Sequence, residues 1–504
     1  MKKIIYILLV LLFAGYGWAA VYVKDVIGYG VYYQDGATAC SQVDENDTSG
    51  DLETALNAAG EGGTLYICTG TYTDTEIDDD NKLELTHNNQ TIESVDGSVS
   101  IVSTTDHAFS TNAKDGLAMN GPITLTGSAS GKNSAQITTN SNDLSFTDVS
   151  FSGSGQRGVY INPATYNLTF TDCNASSNGT AEGIWIQANA TGNVYGIDIL
   201  GDNSGSCVLS SNGGDGIRVS SDNSGTNYVY DLTIEGCDFE SNTGAGIRIR
   251  YLKADSGENL IRFNSVNYNS TGGTLGGIWI GDSVNVIAEK NDIDDNHTNG
   301  IDGRGLYCDE SSVNCIFRYN VVSNHDDNST PNSQSSGIAV TNSSATIHHN
   351  LLYGNDAGIT IGGTSTSVLL YNNTIVNNDD RGVSIQSSQD STEVTARNNI
   401  IVGHVTGWHD DSALVDADED YTVWYDNTAD VSDHTKGSNA FNSDPALLSD
   451  YRPPITSPAC DVADDSIGAA YAIDLDGHDQ RRYGSDWDIG AYVCRNQGLR
   501  YGGE

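Results

Sequence analysis

The sequence predicts an all-β solenoid of short stacked strands, and three observations carry the prediction. An Asn is followed four residues later by Gly and then Ile or Val at Asn212/Gly216, Asn242/Gly246, Asn296/Gly300 and Asn378/Gly382, with Asn355/Gly358 one residue shorter and Asn178/Gly183 one longer. Gly-Ile or Gly-Val recurs at Gly158, Gly183, Gly216, Gly246, Gly277, Gly300, Gly337, Gly358 and Gly382, at intervals of 21 to 37 residues, and a unit repeating at such a period marks a solenoid. Apart from Gly300, followed by Ile301-Asp302-Gly303, these Gly residues open an apolar, variable, apolar run, as in Gly183-Ile184-Trp185-Ile186 and Gly246-Ile247-Arg248-Ile249, which reads as a short strand with one face buried. The low share of hydrophobic residues, 37%, suits a thin core assembled coil by coil.

Taken in order, residues 1–19 read as a secretory signal peptide: Met1-Lys2-Lys3, an apolar run from Ile4 to Ala14, and small residues before a cut expected after Ala19. No later stretch approaches the 18 consecutive apolar residues of a membrane span, so an exported, soluble mature chain is expected, secreted or held at the cell surface. Residues 20–63 are expected to form an N-terminal cap. In it Asp47-Thr48-Ser49, then Leu52, Ala55, Leu56 and Ala59, and Gly60 as a stop, predict a short amphipathic helix that covers the first coil. Thr64-Leu65-Tyr66-Ile67 is the first strand of a solenoid expected over 64–402, irregular from about 80 to 150 and regular after it. From His404 the period fades, and 403–504 is expected to be a C-terminal cap or anchor-like module.

Nine Cys in an exported chain suggest disulfides with one thiol left over. The short-range pairs expected are Cys40 with Cys68, Cys308 with Cys315, and Cys460 with Cys494. Cys173, Cys207 and Cys237 each stand five residues before the repeat Asn, in the column that later coils fill with Asn291, Asn350 and Asn373. They are expected to form a buried stack of small apolar fillers, with one further bridge within reach at the spacing of stacked strands.

Asp plus Glu number 67 against 23 Lys plus Arg, a net charge of -44, which argues against nucleic acid and anionic membranes as partners. No cofactor is required by any motif. Ca²⁺ is the one metal that the acidic turns invite: Asp292, Asp294 and Asp295, then Asp326 and Asp327, Asp356, and Asp379 with Asp380.

Coils of this length are too long for hexapeptide left-handed helices. Leu56-Asn57-Ala58-Ala59-Gly60 followed by Gly70-Thr71-Tyr72, the Gly-Ile/Val strands, and turns such as Asn372-Asn373-Thr374-Ile375-Val376-Asn377-Asn378 resemble the right-handed parallel β-helix family, which includes pectate lyases, polygalacturonases, alginate lyases and phage tailspikes. Asp444-Pro445, Ser457-Pro458-Ala459, Asp474-Leu475-Asp476-Gly477 and Asp488-Ile489-Gly490-Ala491-Tyr492 resemble the closing segment of bacterial choice-of-anchor Q domain-containing proteins. The resemblance implies a right-handed parallel β-helix and a substrate groove over its exposed sheet. It implies an activity only weakly, because one fold hosts many functions.

Aligning the strands on their Gly predicts an outward column of Tyr160, Trp185, Arg218, Arg248, Trp279, Asp302, Ala339, Thr360 and Ser384, with Asn162, Gln187, Ser220, Arg250 and Gly281 beside it. Aromatic faces suit a pyranose ring and Arg offers a planar fork to a carboxylate. Tyr160, Trp185, Gln187, Trp279 and Asp302 are thus candidate binders of an extracellular polysaccharide, and the cluster Arg248, Arg250, Lys253 and Arg262 is basic enough in sequence to favour an acidic one. In a lyase, Arg218, Arg248 or Arg250 would neutralise a uronate carboxylate and Lys253 or Tyr251 would take the proton. A hydrolase would need two outward carboxylates, such as Asp282 and Asp302. Asp-Pro-His-Asp, Gly-His-Gly with paired Asp, and Trp-Ile-Asp-His are absent; His297, His325, His348, His349 and His404 sit on or near turns and read as surface residues. A non-catalytic adhesin or spacer is the remaining alternative.

Overall fold

The computed structural model describes residues 20–494 except 27–29, 36–39, 41–47, 79, 203–204, 222–225, 256–257, 271–275, 297–302, 326–334, 364–365, 387–391, 412–415 and 481–485. The expected signal peptide lies outside them. The chain divides into two compact units, Met1–Gly179 and Thr180–Glu504. Both are built mainly from parallel strands.

In the first unit, Ala20–Val26 and Gly30–Asp35 form an antiparallel hairpin, and Ala20–Val26 also pairs in parallel with Thr64–Ile67, so strand stacking begins inside the expected cap. The helix spans Leu52–Ala59 and buries Leu52, Ala55, Leu56 and Ala59. Its cap is Asp51, whose carboxylate accepts the Thr54 N–H at 2.6 Å, while Thr48–Gly50 is a strand rather than the helix start. Gly60 ends it with φ 72°, in the left-handed region that suits Gly. Phe109, Phe146, Phe151 and Phe170 pack against one another in the core.

The second unit has three parallel sheets. Ile184–Gln187, Ile217–Ser220, Ile247–Arg250, Ile278–Gly281, Arg304–Asp309, Ser336–Thr341, Ala357–Gly362, Arg381–Gln386, Thr406–Asp410 and Ala429–Ser432 are consecutive neighbours in the first sheet. The second sheet includes Val194–Leu200, Val229–Glu235, Leu252–Lys253 and Asn259–Arg262. The third runs from Cys207–Val208 and Cys237–Glu240 through Leu351–Tyr353, Thr374–Val376 and Ile400–Val402 to Val423–Tyr425. Parallel stacking therefore continues past residue 402, where the sequence period fades.

The repeat Asn is a buried hydrogen-bonding rung. Asn242 Nδ2 donates to Leu209 O at 2.8 Å and to Asn269 Oδ1 at 2.8 Å, while Asn242 Oδ1 accepts the backbone N–H of Asn212 at 3.0 Å. The ladder runs on through Asn269 and Asn296, and at His325 an imidazole takes the place of the amide. A second ladder joins Asn264, Asn291, Asn320, Asn350, Asn373 and Asn399. It continues the column of Cys237, whose N–H donates to Asn264 Oδ1. His404 is a second imidazole rung of the first ladder: its Nδ1 accepts the Asn378 N–H and its Nε2 lies 3.1 Å from Ile375 O, so the neutral ring copies the acceptor and donor of an amide, and its backbone N–H donates to Asn427 Oδ1 at 3.0 Å.

The repeat Gly is small because the coils touch there. A Cβ on Gly246 would lie 2.6 Å from Val266 Cγ1, and one on Gly305 would lie 2.6 Å from Gly337 O. Gly305, not Gly300, holds the repeat position in its coil, since Leu306 and Cys308 point inward from Arg304–Asp309.

Cys40–Cys68, Cys308–Cys315 and Cys460–Cys494 are disulfides. Cys173, Cys207 and Cys237 are all buried, but Cys207 and Cys237 face each other in register at a Cα separation of 4.7 Å and are bridged, which leaves Cys173 as the single thiol. The C-terminal segment folds back on the outer face of the third sheet. There Trp487, Ile489 and Ala491 pack with Ile400, Val423 and Leu351, and the Gly490 N–H donates to Asn398 O. Among the described residues no helix is long and apolar enough to cross a membrane.

Candidate functional site

The candidate site stands on the outer face of the first sheet in the second unit. Side chains alternate across a strand, so burying Ile184, Ile186, Ile217, Val219, Ile247 and Ile249 turns Trp185, Gln187, Arg218, Ser220, Arg248 and Arg250 outward. Register sets Trp185 beside Arg218, Arg218 beside Arg248, and Arg248 beside Trp279. Trp185, Gln187, Ser220 and the three arginines, with Val219 and Ser221, line a cavity of about 270 Å³.

The rest of the expected column differs. Tyr160 lies on Val159–Ile161 of the other unit. Asp302 is outside the described residues, and Tyr307 is the register partner of Trp279 because Gly305 opens that strand. Trp279 is only 3% exposed, packed with Tyr307 and Ala339, so its ring cannot receive a sugar.

Within the cavity the indole is fixed: Trp185 Nε1–H donates to Ser220 Oγ at 2.7 Å and the Arg218 guanidinium lies 5.3 Å from the ring centroid. Arg218 Nη1 donates to Glu182 Oε1 at 3.0 Å. Arg250 Nε is held by Asp282 at 2.8 Å and Glu310 at 3.0 Å. Arg248 differs from both. Among the described residues it forms no ion pair within 4 Å, and its guanidinium rests 5.0 Å from the Trp279 ring centroid. Burial lowers its pKa and the charge of Asp215 raises it. Asp215 is itself buried beneath the site; burial pushes its carboxyl up to about 6, against the pull of Arg248 and the Ala245 N–H.

The neighbourhood is therefore less basic than the sequence suggested. Glu182, Asp215, Asp282 and Glu310 stand against Arg218, Arg248 and Arg250, and Arg262 is paired with Glu235 at 2.9 Å. Lys253 Nζ lies 3.5 Å from the Tyr228 ring centroid, and burial raises the Tyr251 phenol, the wrong direction for a base. Neither residue lines the cavity. Glu182 and Asp215 were missed, although each immediately precedes a repeat Gly and so belongs to one column of adjacent coils.

Among the described residues the acidic turns form no cluster of ligand-type atoms. Asp326 and Asp327 are outside the described residues, and Asp380 is 3.4 Å from Arg381. Among the described residues, three groups bring ligand-type atoms together, and none includes Asp356, Asp379 or Asp380. Two of these contain bridged Cys; in the third, Asp474 accepts three backbone N–H groups and Asp476 is held by Arg452. His325, His348, His349 and His404 are buried, not surface residues, and His297 is outside the described residues.

The profile of the family described as "Right handed beta helix region" matches residues 195–375 and 326–429. No curated protein matches the chain by sequence. Solved structures similar to it include the A-module of a mannuronan C-5 epimerase from Azotobacter vinelandii, 14% identical, covering 78% of this chain and 93% of that one with a TM-score of 0.39. A PL6 family alginate lyase is 15% identical over 78% of this chain and 52% of its own, TM-score 0.42. Tailspike protein 3 of bacteriophage CBA120 is 12% identical over 96% of this chain and 77% of its own, TM-score 0.38. Those activities are properties of those proteins. The strand registers of this chain, with the matched profile, make it a right-handed parallel β-helix.

Proposed function

We propose that this chain binds an acidic extracellular polysaccharide, with a uronate carboxylate on Arg248 and the sugar ring against Trp185. One observation carries the reading: among the described residues, Arg248 is the cavity arginine without a carboxylate of its own, while Arg218 and Arg250 are already paired. A planar guanidinium with unspent donors in a partly desolvated cavity recognises a carboxylate by paired, charge-assisted hydrogen bonds. Gln187 and the Ser220 and Ser221 hydroxyls line the same space and suit sugar hydroxyls. The four disulfides fit an oxidising compartment outside the cytoplasm.

The cavity supports binding better than turnover. Its described lining contains no carboxylate, His, Lys or Tyr to take a proton from carbon, and Asp282, half of the pair expected for a hydrolase, is spent on Arg250. Binding without turnover is the behaviour of a surface adhesin. Calorimetry against oligogalacturonate and against its carboxyl-reduced neutral counterpart tests this, with ultraviolet absorbance reporting unsaturated products. Binding of the acidic form alone, with no new absorbance, is expected. Equal binding of both forms refutes the carboxylate reading, and accumulating absorbance refutes binding without turnover.

A further inference from the structure

We propose that Tyr195, Tyr228, Tyr230 and Tyr251 form a second subsite, around the corner from the cavity, which holds further pyranose rings of the same uronate chain. This rests on the carboxylate reading of Arg248. In the coil of Arg248 the turn between the first and second sheets is a single residue: Ile247–Arg250 ends, Tyr251 adopts φ 64°, and Leu252–Lys253 begins. Groups on the two sheets are thereby brought together. The Arg250 guanidinium, which lines the cavity, lies 5.0 Å from the Tyr251 ring centroid. Tyr251 meets Tyr228 edge-on at 6.4 Å, Tyr228 meets Tyr230 edge-on at 6.1 Å, and Tyr230 stacks on Tyr195 at 4.7 Å and 8°. The contacts form an unbroken path from the cavity onto the second sheet.

The core does not ask for these rings. Val194, Val229 and Leu252 fill the inward column and are fully buried, while Tyr195, Tyr230 and Lys253 are their outward neighbours in register and remain partly exposed. An outward position on a Ser-, Thr- and Asn-rich surface is satisfied by a small polar residue. Four amphipathic rings in one patch instead present apolar edges and phenol oxygens together, the combination that a pyranose, with its C–H faces and hydroxyls, can use. Lys253, 3.5 Å from the Tyr228 ring centroid, adds the positive charge a second uronate needs. The path leads away from Arg248, so the occupant is a chain longer than the cavity alone can hold.

The test measures the affinity of galacturonate dimer and octamer for wild type, Tyr195→Ala/Tyr230→Ala, Tyr195→Phe/Tyr230→Phe and Arg248→Ala, each shown to be folded by a β-type circular dichroism spectrum. Wild type is expected to bind the octamer about tenfold or more tighter than the dimer. The Ala pair is expected to lose that gain while its dimer affinity stays within about twofold of wild type. The Phe pair, which keeps the rings, should retain part of the gain; Tyr195→Ala alone gives the same reading if the Ala pair does not fold. An octamer gain that survives removal of the rings overturns the subsite. Unchanged dimer affinity in Arg248→Ala overturns the cavity reading instead, and no binding of either oligomer by wild type overturns both.

Discussion

Replacing Asn320 with Ala removes one rung of the ladder that fixes coil register. The residue is fully buried; its Nδ2 donates to Ala288 O at 2.9 Å and to Asn350 Oδ1 at 3.0 Å. Its Oδ1 accepts the Asn291 backbone N–H at 3.1 Å and Asn291 Nδ2 at 3.0 Å. In the variant Asn350 Oδ1 keeps the backbone N–H of residue 320, and Asn291 Nδ2 keeps Ile261 O. The Asn291 N–H keeps nothing. One buried orphan donor and the lost amide bonds amount to about 2–4 kcal/mol, or about thirty- to several-hundredfold in an opening equilibrium. Native-state hydrogen exchange at the Asn291 amide reads this directly, and urea unfolding reads the global part. Thr346→Ala, on an outward, partly exposed position of the next coil, is the control and should stay within about 0.5 kcal/mol. An Asn320→Ala cost no larger than that of Thr346→Ala would refute the ladder as a source of stability.

Gly305→Val drives a Cβ to within 2.6 Å of Gly337 O, and a loss above about 3 kcal/mol is expected in urea unfolding; wild-type stability would return the repeat position to Gly300. Cys173 is buried and burial pushes its thiol up to about 12, so native protein should resist alkylation, unreduced denatured protein should take one label, and reduced denatured protein nine. More than one label without reductant would contradict the four bridges. His348, His349 and His404 are held neutral by burial, with His349 pushed down to about 3. Their folded pKa values lie below the unfolded value near ~6.5, so the stability they contribute is complete above that pH and is lost as pH falls through it toward the folded values. Asp215 and Asp488, pushed up to about 6, act oppositely and stabilise as pH falls below that value. His349→Gln should therefore flatten the acid loss below about pH 6.5 by up to about 1.4 kcal/mol per pH unit, and an unchanged slope would contradict its neutral burial.

The stacking direction was legible because neighbouring coils meet at equivalent positions. Asn291, Asn350 and Asn373 were placed in the column of Cys237 from spacing alone, and the outward set Trp185, Arg218, Arg248 follows from the same alignment. Choices between near-equivalent registers were not legible. Gly300-Ile301 has the Gly-Ile form but runs on as Asp302-Gly303, whereas Gly305 keeps the apolar, variable, apolar run as Leu306-Tyr307-Cys308 with Leu in place of Ile or Val, and the packing of Leu306 and Cys308 against the core selects the second. His325 hides in the Asn ladder because a neutral imidazole can match an amide in hydrogen bonding without matching it in name. Burial of Trp279 depends on Tyr307 one coil on, and the pairing of Arg250 depends on Glu310, so neither follows from a strand taken singly. The docking of the C-terminal segment had a signal: Leu351, Ile400 and Val423 are apolar at outward positions, where earlier coils carry Ser265 and Asp292.

The central claim is that Arg248 carries the recognition of acidic sugar, and titration of galacturonate dimer into wild type, Arg248→Ala, Arg248→Lys and Arg218→Ala tests it most directly. Loss of the charged hydrogen bonds in Arg248→Ala should weaken binding about ten- to a hundredfold, with Arg248→Lys between that variant and wild type because it keeps charge without the fork. Arg218 is already paired with Glu182, so its removal should cost less than that of Arg248. Wild-type affinity in folded Arg248→Ala, or a larger loss in Arg218→Ala, would contradict the assignment.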